Sequence, residues 1–216
     1  KNRRQHRLQN NQEWRVVTIL GIVLLALAIV VVIRNTAASP QNPTPNRVHI
    51  DPELGNPNAP VTIIEYGAYS CPSCRAWHQA GVINQILAKY PDKMKFIFRD
   101  FPVITPSYDR MAAALSQCVL DQGQDRFWAF HNALYERANS GYSQDDLIRL
   151  AGEVGADTGR LTTCAQAQTY QPFVQSEEAD ARRLGLPGTP SFLVNDQPIF
   201  NASPEILDSA VKNALR

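Results

Sequence analysis

The sequence predicts an α/β domain whose strands are divided by a block of helices, with one transmembrane helix ahead of it. Three observations predict this class. Short β-rich runs occur early and late in the exported part of the chain, and residues 106–186 between them carry apolar residues at helical spacing. Residues 16–33 form an apolar run long enough to cross a bilayer. Strands that surround an insertion belong to one sheet, so we expect one domain with a helical lobe.

The N-terminal part of the chain predicts a cytoplasmic segment, a membrane anchor and a linker. Residues 1–15 hold five basic residues and one glutamate, whereas residues 16–33 hold no charge. A basic flank stays in the cytoplasm, so everything beyond the span is expected to be exported. A cleavable signal peptide is the alternative, because small residues follow at 36–39. Residues 34–60 hold six prolines among small polar residues and predict an extended linker.

The exported domain is predicted to span residues 61–216. Its strands are rich in β-branched and aromatic residues, and its helices repeat apolar residues every three or four positions. The predicted elements are a strand at 61–66, a helix from Cys71 to about Tyr90 with a bend at Gly81, a strand at 94–101, helices across 106–186, strands at 190–195 and 198–201, and a last helix capped by Ser203. Asp196 and Gln197 are the predicted hairpin turn, and Ser143 with Asp146 predicts a capped helix start.

The charge pattern excludes a nucleic-acid-binding role. The net charge is only +1, and the basic residues of the first segment are balanced by a slightly acidic remainder. Proteins that bind nucleic acid carry a clustered basic face on the binding domain. No nucleic-acid partner is therefore expected.

The stretch "YSCPSC" contains the cysteine pair Cys71 and Cys74. Such a pair occurs in zinc sites and in redox disulfides. Zinc needs further ligands at short spacing, and the sequence has no second short pair. Disulfides persist outside the cytoplasm, which favours the redox interpretation. No metal site is predicted.

The position of the pair supplies a redox mechanism. Cys71 follows a predicted strand and precedes Pro72 at the first position of a predicted helix. Free backbone N–H groups and the helix dipole stabilise an anion there, so the pKa of Cys71 should lie below the free value of about 8.5. Cys74, one turn later, should be covered. We expect one exposed sulfur that exchanges with substrate and one buried sulfur that closes the internal disulfide.

Residues 55–216 resemble the DsbA-like branch of the thioredoxin superfamily of thiol-disulfide oxidoreductases. The resemblance is carried by "TIIEYGAYSCPSCRAWH", "FIFRDFPV", "FWAFHNALYE" and "LGLPGTPSFLVN". It implies a thioredoxin fold with a helical insertion, with Cys71 as the nucleophile and Cys74 as the resolving cysteine.

Three further residues take their expected roles from this resemblance. Pro190 matches the cis-proline that faces the active-site cysteines, and Thr189 before it would hydrogen-bond a substrate strand. Glu65 matches a buried acid that passes protons to Cys74, with a raised pKa; the alternative is an ordinary surface glutamate. Ser73 departs from the best-known members, which carry histidine there. Neutral serine should lower the pKa of Cys71 less than histidine does. The sequence therefore does not decide how strongly oxidising this protein is.

Two more cysteines, Cys118 and Cys164, lie on apolar faces of the predicted helical insertion. They are either two buried free thiols or a structural disulfide. Some relatives carry a second cysteine pair at these positions, which favours the disulfide. His131 is predicted to be a packed helix residue. His78 lies near the active helix; it is predicted to face solvent, and the alternative is that it modulates the cysteine pair.

The predicted function is that of an extracytoplasmic, single-pass membrane-anchored oxidase that introduces disulfides into exported proteins. The expected partners are unfolded proteins with cysteine thiols and a quinone-coupled membrane reoxidase. The Cys71–Cys74 disulfide is the only redox group expected, with no further cofactor. A reductase or isomerase on the same scaffold is one alternative, and a peptide-binding or chaperone-like module without redox turnover is another.

Overall fold

A five-stranded mixed sheet organises the structure, a computed structural model that describes residues 50–137 and 141–216. The strands are β1 (Glu53–Gly55), β2 (Val61–Gly67), β3 (Met94–Asp100), β4 (Ser191–Val194) and β5 (Gln197–Ile199). The helices are α1 (Pro72–Gln79), α2 (Val82–Lys89), α3 (Pro106–Leu120), α4 (Gln124–Arg137), α5 (Gln144–Glu153), α6 (Thr158–Gln166), α7 (Gln171–Arg183) and α8 (Pro204–Ala214). The predicted α/β class with a helical insertion is confirmed, because α3 to α7 all lie between β3 and β4.

The sheet has the order β1-β3-β2-β4-β5. Strands β2 and β3 are parallel, whereas β1 pairs antiparallel with β3, and β4 pairs antiparallel with both β2 and β5. Successive side chains of a strand point to opposite faces. Ile63 therefore packs in the larger core with α1 to α6 and α8, and Ile64 packs in a smaller core that includes Ala181 of α7. Glu65 has the parity of Ile63 and points to the larger core.

The predicted linker boundary at residue 60 is wrong. Residues Glu53–Gly55 form the edge strand β1, and Pro52 before them is buried. The Glu53 backbone is held on both sides: its N–H donates to Gln124 Oε1 at 3.0 Å, and its carbonyl accepts from Trp128 Nε1 at 2.9 Å. A strand of three residues is too short to show an alternation of apolar and polar residues. The surrounding prolines therefore made this stretch look like part of the linker.

Two local predictions also change. The predicted helix from Cys71 to Tyr90 is two helices, because Gly81 adopts a left-handed φ of 62° between them. The hairpin turns at Asn195 and Asp196, one residue earlier than predicted, with φ values of 46° and 63°. Positive φ at both positions is the two-residue turn that suits strand twist. Ser143 and Asp146 form the predicted capping box.

The predicted cytoplasmic segment 1–15 and transmembrane helix 16–33 lie outside the described residues, as does most of the predicted linker. Within residues 50–137 and 141–216, no helix has both the length and the apolar character that spanning a membrane requires.

Candidate active site

The turn between β2 and α1 places Cys71 at the N-terminus of a helix. Cys71 is the N-cap residue, and Pro72 is the first residue of α1. The Cys71 sulfur accepts a hydrogen bond from the Cys74 N–H at 3.3 Å, which satisfies one of the free donors of the first turn. The predicted strand-to-helix position of the cysteine pair is therefore present in the structure.

The environment of Cys71 favours its thiolate. The pKa of Cys71 falls from 9.0 to about 6. The hydrogen bond with the Cys74 side chain is the largest cause; burial opposes it, and the backbone N–H groups of Cys74 and Ser73 add to the lowering. At neutral pH the sulfur is thus mostly ionised, without any help from a charged residue at position 73.

The expectation of an exposed Cys71 is wrong. Its relative exposure is 2%, close to the 1% of Cys74. The reason is tertiary: the loop at Thr189 lies over the sulfur, and in its protonated form the Cys71 thiol donates a hydrogen bond to the Thr189 carbonyl oxygen at 3.2 Å. Both sulfurs are therefore covered in the dithiol state. Pro72 and Ser73 beside them are exposed and mark the side from which a thiol can approach.

Cys74 has the opposite character to Cys71. Burial raises the pKa of Cys74 far above its ordinary value, and the hydrogen bond with Cys71 and the charge of Glu65 raise it further. A cysteine in such a site is a neutral thiol across the physiological range. The pair thus combines one stable thiolate with one stable thiol, although neither residue has more than slight solvent exposure.

Glu65 lies in β2 beneath the cysteines and is 7% exposed. In the sheet register it sits between Phe98 of β3 and Phe192 of β4, both fully buried. Burial raises the pKa of Glu65 from 4.5 to about 8, and the negative charge of Cys71 adds to that rise. The carboxyl group therefore carries a proton at neutral pH, as required of a proton donor beside Cys74.

The loop before β4 completes the site. The Thr189–Pro190 peptide bond is cis, as the resemblance implies. Ser191 follows it, and its hydroxyl donates to the carbonyl of Gly188 at 2.7 Å, which holds the loop closed. The Thr189 carbonyl is thereby directed at the Cys71 sulfur.

A groove lies beside the cysteine pair, with a volume of about 300 Å³. Its lining includes Ser73, Trp77, Leu186, Pro190 and Phe200. Phe200 is 60% exposed, which is unusual for a large apolar side chain in a folded domain. Three other aromatic residues, Tyr69, Phe101 and Trp128, are buried in the core and do not line this groove.

Asp109 is a site residue that the sequence does not reveal. It is 1% exposed and lies in the first turn of α3. Its carboxylate accepts hydrogen bonds from the Ser70 N–H and hydroxyl, each at 2.9 Å, and from the Thr105 N–H at 2.8 Å. Asp109 therefore fixes the residue that immediately precedes Cys71. An aspartate early in a helix is common, so nothing in the sequence distinguishes it.

The remaining two cysteines lie in the helical insertion, away from the pair. Cys118 of α3 and Cys164 of α6 form a disulfide with an S–S distance of 2.02 Å and a Cα–Cα distance of 6.0 Å. The alternative of two free thiols is thus not what the structure contains. Regarding zinc, residues 50–137 and 141–216 contain no group of three His, Cys, Asp or Glu side chains placed to hold a metal ion.

The Cys71 thiol should titrate near pH 6 in the reduced protein, because its thiolate is stabilised as described. Thiolate absorbance near 240 nm and the rate of alkylation by iodoacetamide measure this directly. Both signals should be half-developed at about pH 6. A midpoint at the ordinary thiol value of about 8.5 would contradict the assignment.

Replacing Glu65 by glutamine should change how stability depends on pH. The pKa of Glu65 is about 8 in the reduced, folded protein and about 4.3 in an unfolded chain. The stability contributed by its proton is complete below about pH 4.3 and is lost as pH rises toward about 8. Glu65→Gln removes that loss. Between about pH 4.3 and about pH 8, the unfolding free energy of Glu65→Gln should therefore rise relative to that of the wild type by about 5 kcal/mol. Urea titration at several pH values measures this difference. A difference that is constant with pH would show that Glu65 is not buried as a neutral acid.

Known proteins with similar sequences and structures carry names that fit this geometry. Residues 48–213 match the family model described as Thioredoxin. Probable disulfide bond formation protein D of Bacillus cereus is 27% identical over 210 residues, which cover 89% of this chain and 96% of that protein. Disulfide bond formation protein D of Bacillus subtilis is 29% identical over 157 residues, covering 69% and 70% of the two chains.

Solved structures with a similar fold carry titles of the same kind. The crystal structure of oxidised BdbD from Bacillus subtilis has a TM-score of 0.68 at 26% identity and covers 76% of this chain and 92% of that one. A thioredoxin-like oxidoreductase from Silicibacter pomeroyi has a TM-score of 0.66 at 29% identity, with the same two coverages. Because the family match includes the strand, the cysteine pair and the cis-proline loop, the chain belongs to the thioredoxin family, as one of its DsbA-like thiol-disulfide oxidoreductases.

Proposed function

We propose that this chain is an extracytoplasmic disulfide oxidase that introduces disulfides into exported proteins through Cys71 and Cys74. The observation that carries the proposal is the opposite character of the two sulfurs. A stable Cys71 thiolate favours the reduced pair over the disulfide, so the disulfide is readily given to a substrate. The names of the Bacillus relatives, which refer to disulfide bond formation, support the same direction.

The lowered pKa sets the size of this effect. A shift of the Cys71 pKa from 9.0 to about 6 stabilises the reduced form at pH 7 by about 1.4 kcal/mol, equal to about 30 mV for two electrons. Thioredoxin, a reductase, has a potential of about −270 mV and the oxidase DsbA about −120 mV. The thiolate alone therefore moves the protein part of the way toward an oxidase.

The proposed reaction proceeds in two exchanges. A substrate thiolate attacks Cys71 in the Cys71–Cys74 disulfide, so that a mixed disulfide forms and Cys74 leaves. Glu65 transfers its proton to the Cys74 sulfur, which is too poor an acid to leave as a free thiolate. A second substrate thiolate then attacks the substrate sulfur of the mixed disulfide. The substrate disulfide forms, Cys71 departs as a thiolate, and two electrons have passed to the protein.

The substrate strand is proposed to lie along the loop before β4. Thr189 and Pro190 lie beside Cys71, and a peptide there could pair with the Thr189 main chain. The adjoining groove with the exposed Phe200 would take apolar side chains of an unfolded protein. Folded proteins bury such side chains, which favours unfolded substrates.

The cycle requires reoxidation of the dithiol. We assign this step to a quinone-coupled membrane partner that accepts the two electrons and re-forms the Cys71–Cys74 disulfide. Residues 16–33 would hold the domain at the membrane, where such a partner resides. The cysteine pair is the only redox group the proposed cycle uses.

Equilibration with glutathione buffers tests the direction of electron flow. We expect a Cys71–Cys74 potential less negative than about −240 mV, together with faster oxidation of a dithiol peptide than reduction of its disulfide. A potential at or below about −270 mV would assign the protein as a reductase. A chaperone-like role would be assigned by two results together. The Cys71→Ala variant would prevent aggregation of an unfolded protein as well as the wild type does, and the wild type would show no thiol exchange.

A further inference from the structure

A small cavity connects the buried acid with solvent. It lies between α1, α2 and α4 and is partly open. Its polar lining comprises Glu65, His78, Asn84, His131, Asn132 and Tyr135. The water-accessible volume is about 50 Å³, and since one water needs about 10–15 Å³ of such volume, there is room for about three waters.

The polar lining is arranged from the interior to the surface. Glu65 forms the buried end, and Asn84 and Asn132 are exposed at the open end. Within the described residues, no side chain or N–H group donates a hydrogen bond to the Glu65 carboxyl group. Water in the cavity can therefore supply the hydrogen bonds of the Glu65 carboxyl group. The same water connects Glu65 with the protons of the solvent.

His78 stands between these two ends. It lies four residues after Cys74 and so on the same face of α1, one turn further on. The prediction that it faces solvent is wrong, because it is half-buried and lines the cavity. Its ring centroid lies 5.3 Å from that of Tyr135 and 5.9 Å from that of His131. These contacts with α4 hold the imidazole over the cavity.

We propose that His78 exchanges the proton of Glu65 with solvent through this cavity, and so restores the acid after each transfer to Cys74. The inference rests on the proposed function of Glu65. When Cys74 leaves the disulfide, Glu65 gives its proton to the departing sulfur and becomes a carboxylate. A proton from solvent then passes over His78 and the cavity water to Glu65. Reoxidation of the pair sends one proton out along the same route. His78 thus acts through Glu65 and touches neither sulfur.

The groups around His78 allow it to relay a proton. Burial lowers the pKa of His78, while the negative charge of Glu136 raises it. The groups that face it are Glu65 from β2 and His131, Tyr135 and Glu136 from α4. A neutral imidazole donates from one ring nitrogen while it accepts at the other, so it can pass a proton without holding one. His131 is not suited to this, because it is 5% exposed and its ring is engaged with Tyr69 at 3.3 Å.

The kinetic test uses the full chain with its Cys71–Cys74 disulfide formed. Repeated oxidation of a dithiol peptide, with glutathione disulfide re-forming the pair, is followed in dilute, non-imidazole buffer. A single reduction starts with the proton already on Glu65, so only repeated cycles require its replacement. We expect His78→Gln to slow this turnover about tenfold, less than the 10²–10⁴ of a direct acid–base group because water still reaches the cavity. Added imidazole should restore the rate. Gln79→Ala, an exposed neighbour that does not line the cavity, is the matched control and should be unchanged.

Combination with Glu65→Gln separates this inference from the proposed function. If His78 acts through Glu65, His78→Gln should cause no further slowing in a Glu65→Gln background. Slowing by Glu65→Gln but not by His78→Gln would overturn the inference and leave the proposed function intact. Slowing that imidazole does not relieve, or that adds to the effect of Glu65→Gln, would overturn it by showing a structural role. A Cys71–Cys74 potential of the reductase class would overturn only the proposed direction.

A second measurement needs no variant of His78. In the NMR spectrum of the reduced wild-type protein, the His78 ring signal should show an inflection near the Glu65 pKa of about 8. That inflection should be absent in Glu65→Gln. A His78 signal that is insensitive to Glu65 would overturn the connection through the cavity.

Discussion

Serine in place of Cys71 should abolish thiol-disulfide exchange completely. The thiolate is the nucleophile and the leaving group of both steps, and a serine hydroxyl supplies neither at neutral pH. Cys74 cannot substitute for it, because burial keeps Cys74 as a thiol. Two measurements check this: oxidation of a dithiol peptide, and mass spectrometry for mixed disulfides after incubation with the disulfide form of the same peptide. We expect no turnover and no adduct.

The matched control is Cys74→Ser, which removes the other sulfur of the pair. A serine hydroxyl can still donate to the Cys71 thiolate, so the nucleophile should persist while the internal resolving step is lost. Given the disulfide form of the peptide, this variant should accumulate a mixed disulfide between Cys71 and the peptide, with the other peptide sulfur leaving as a thiolate. An adduct on Cys74 in the Cys71→Ser variant would contradict the assigned roles.

Removal of the Cys118–Cys164 disulfide should cost the domain about 4 kcal/mol of unfolding free energy. The bond closes a loop with a sequence separation of 46 between α3 and α6, and loss of this cross-link frees the unfolded chain. Cys118 is buried, and alanine in its place also leaves unfilled space. Urea titration of a Cys118→Ala, Cys164→Ala double variant measures the effect.

This comparison is best made in a background that lacks the redox pair, so that only one disulfide differs. The double variant on an intact Cys71–Cys74 pair should keep the Cys71 pKa and the exchange rate at low temperature, because neither half-cystine belongs to the active site. A loss of stability below about 1 kcal/mol would show that the bond does not constrain the unfolded chain. A changed Cys71 pKa would show coupling between the lobe and the site.

The local part of the site was predictable. A β-rich run, a cysteine and a proline at the first helical position are short-range signals, and they place Cys71 at the start of α1. The helix propensities and spacings of residues 106–186 predict the insertion in the same way. The end of the linker was placed beyond the strand β1, and the hairpin turn was misplaced by one residue, since strands of three residues leave little pattern.

Other features depend on residues that are distant in the chain. The burial of Cys71 comes from Thr189, and the fixed turn before it comes from Asp109. The cavity that joins Glu65 to His78 requires α4 to pack across α1. None of these contacts has a local sequence pattern, because each is a meeting of side chains that the fold brings together.

The sequence by itself determined the elements, the strand-to-helix position of the cysteine pair and the family, because backbone propensity and helix-end chemistry are local properties. Tertiary structure alone decided the burial of Cys71, the raised pKa values of Cys74 and Glu65, and the partner of Cys118. The physical reason is that desolvation and hydrogen bonding depend on which groups surround an atom in space. Two cysteines of one short motif thus acquire opposite chemistry from their surroundings.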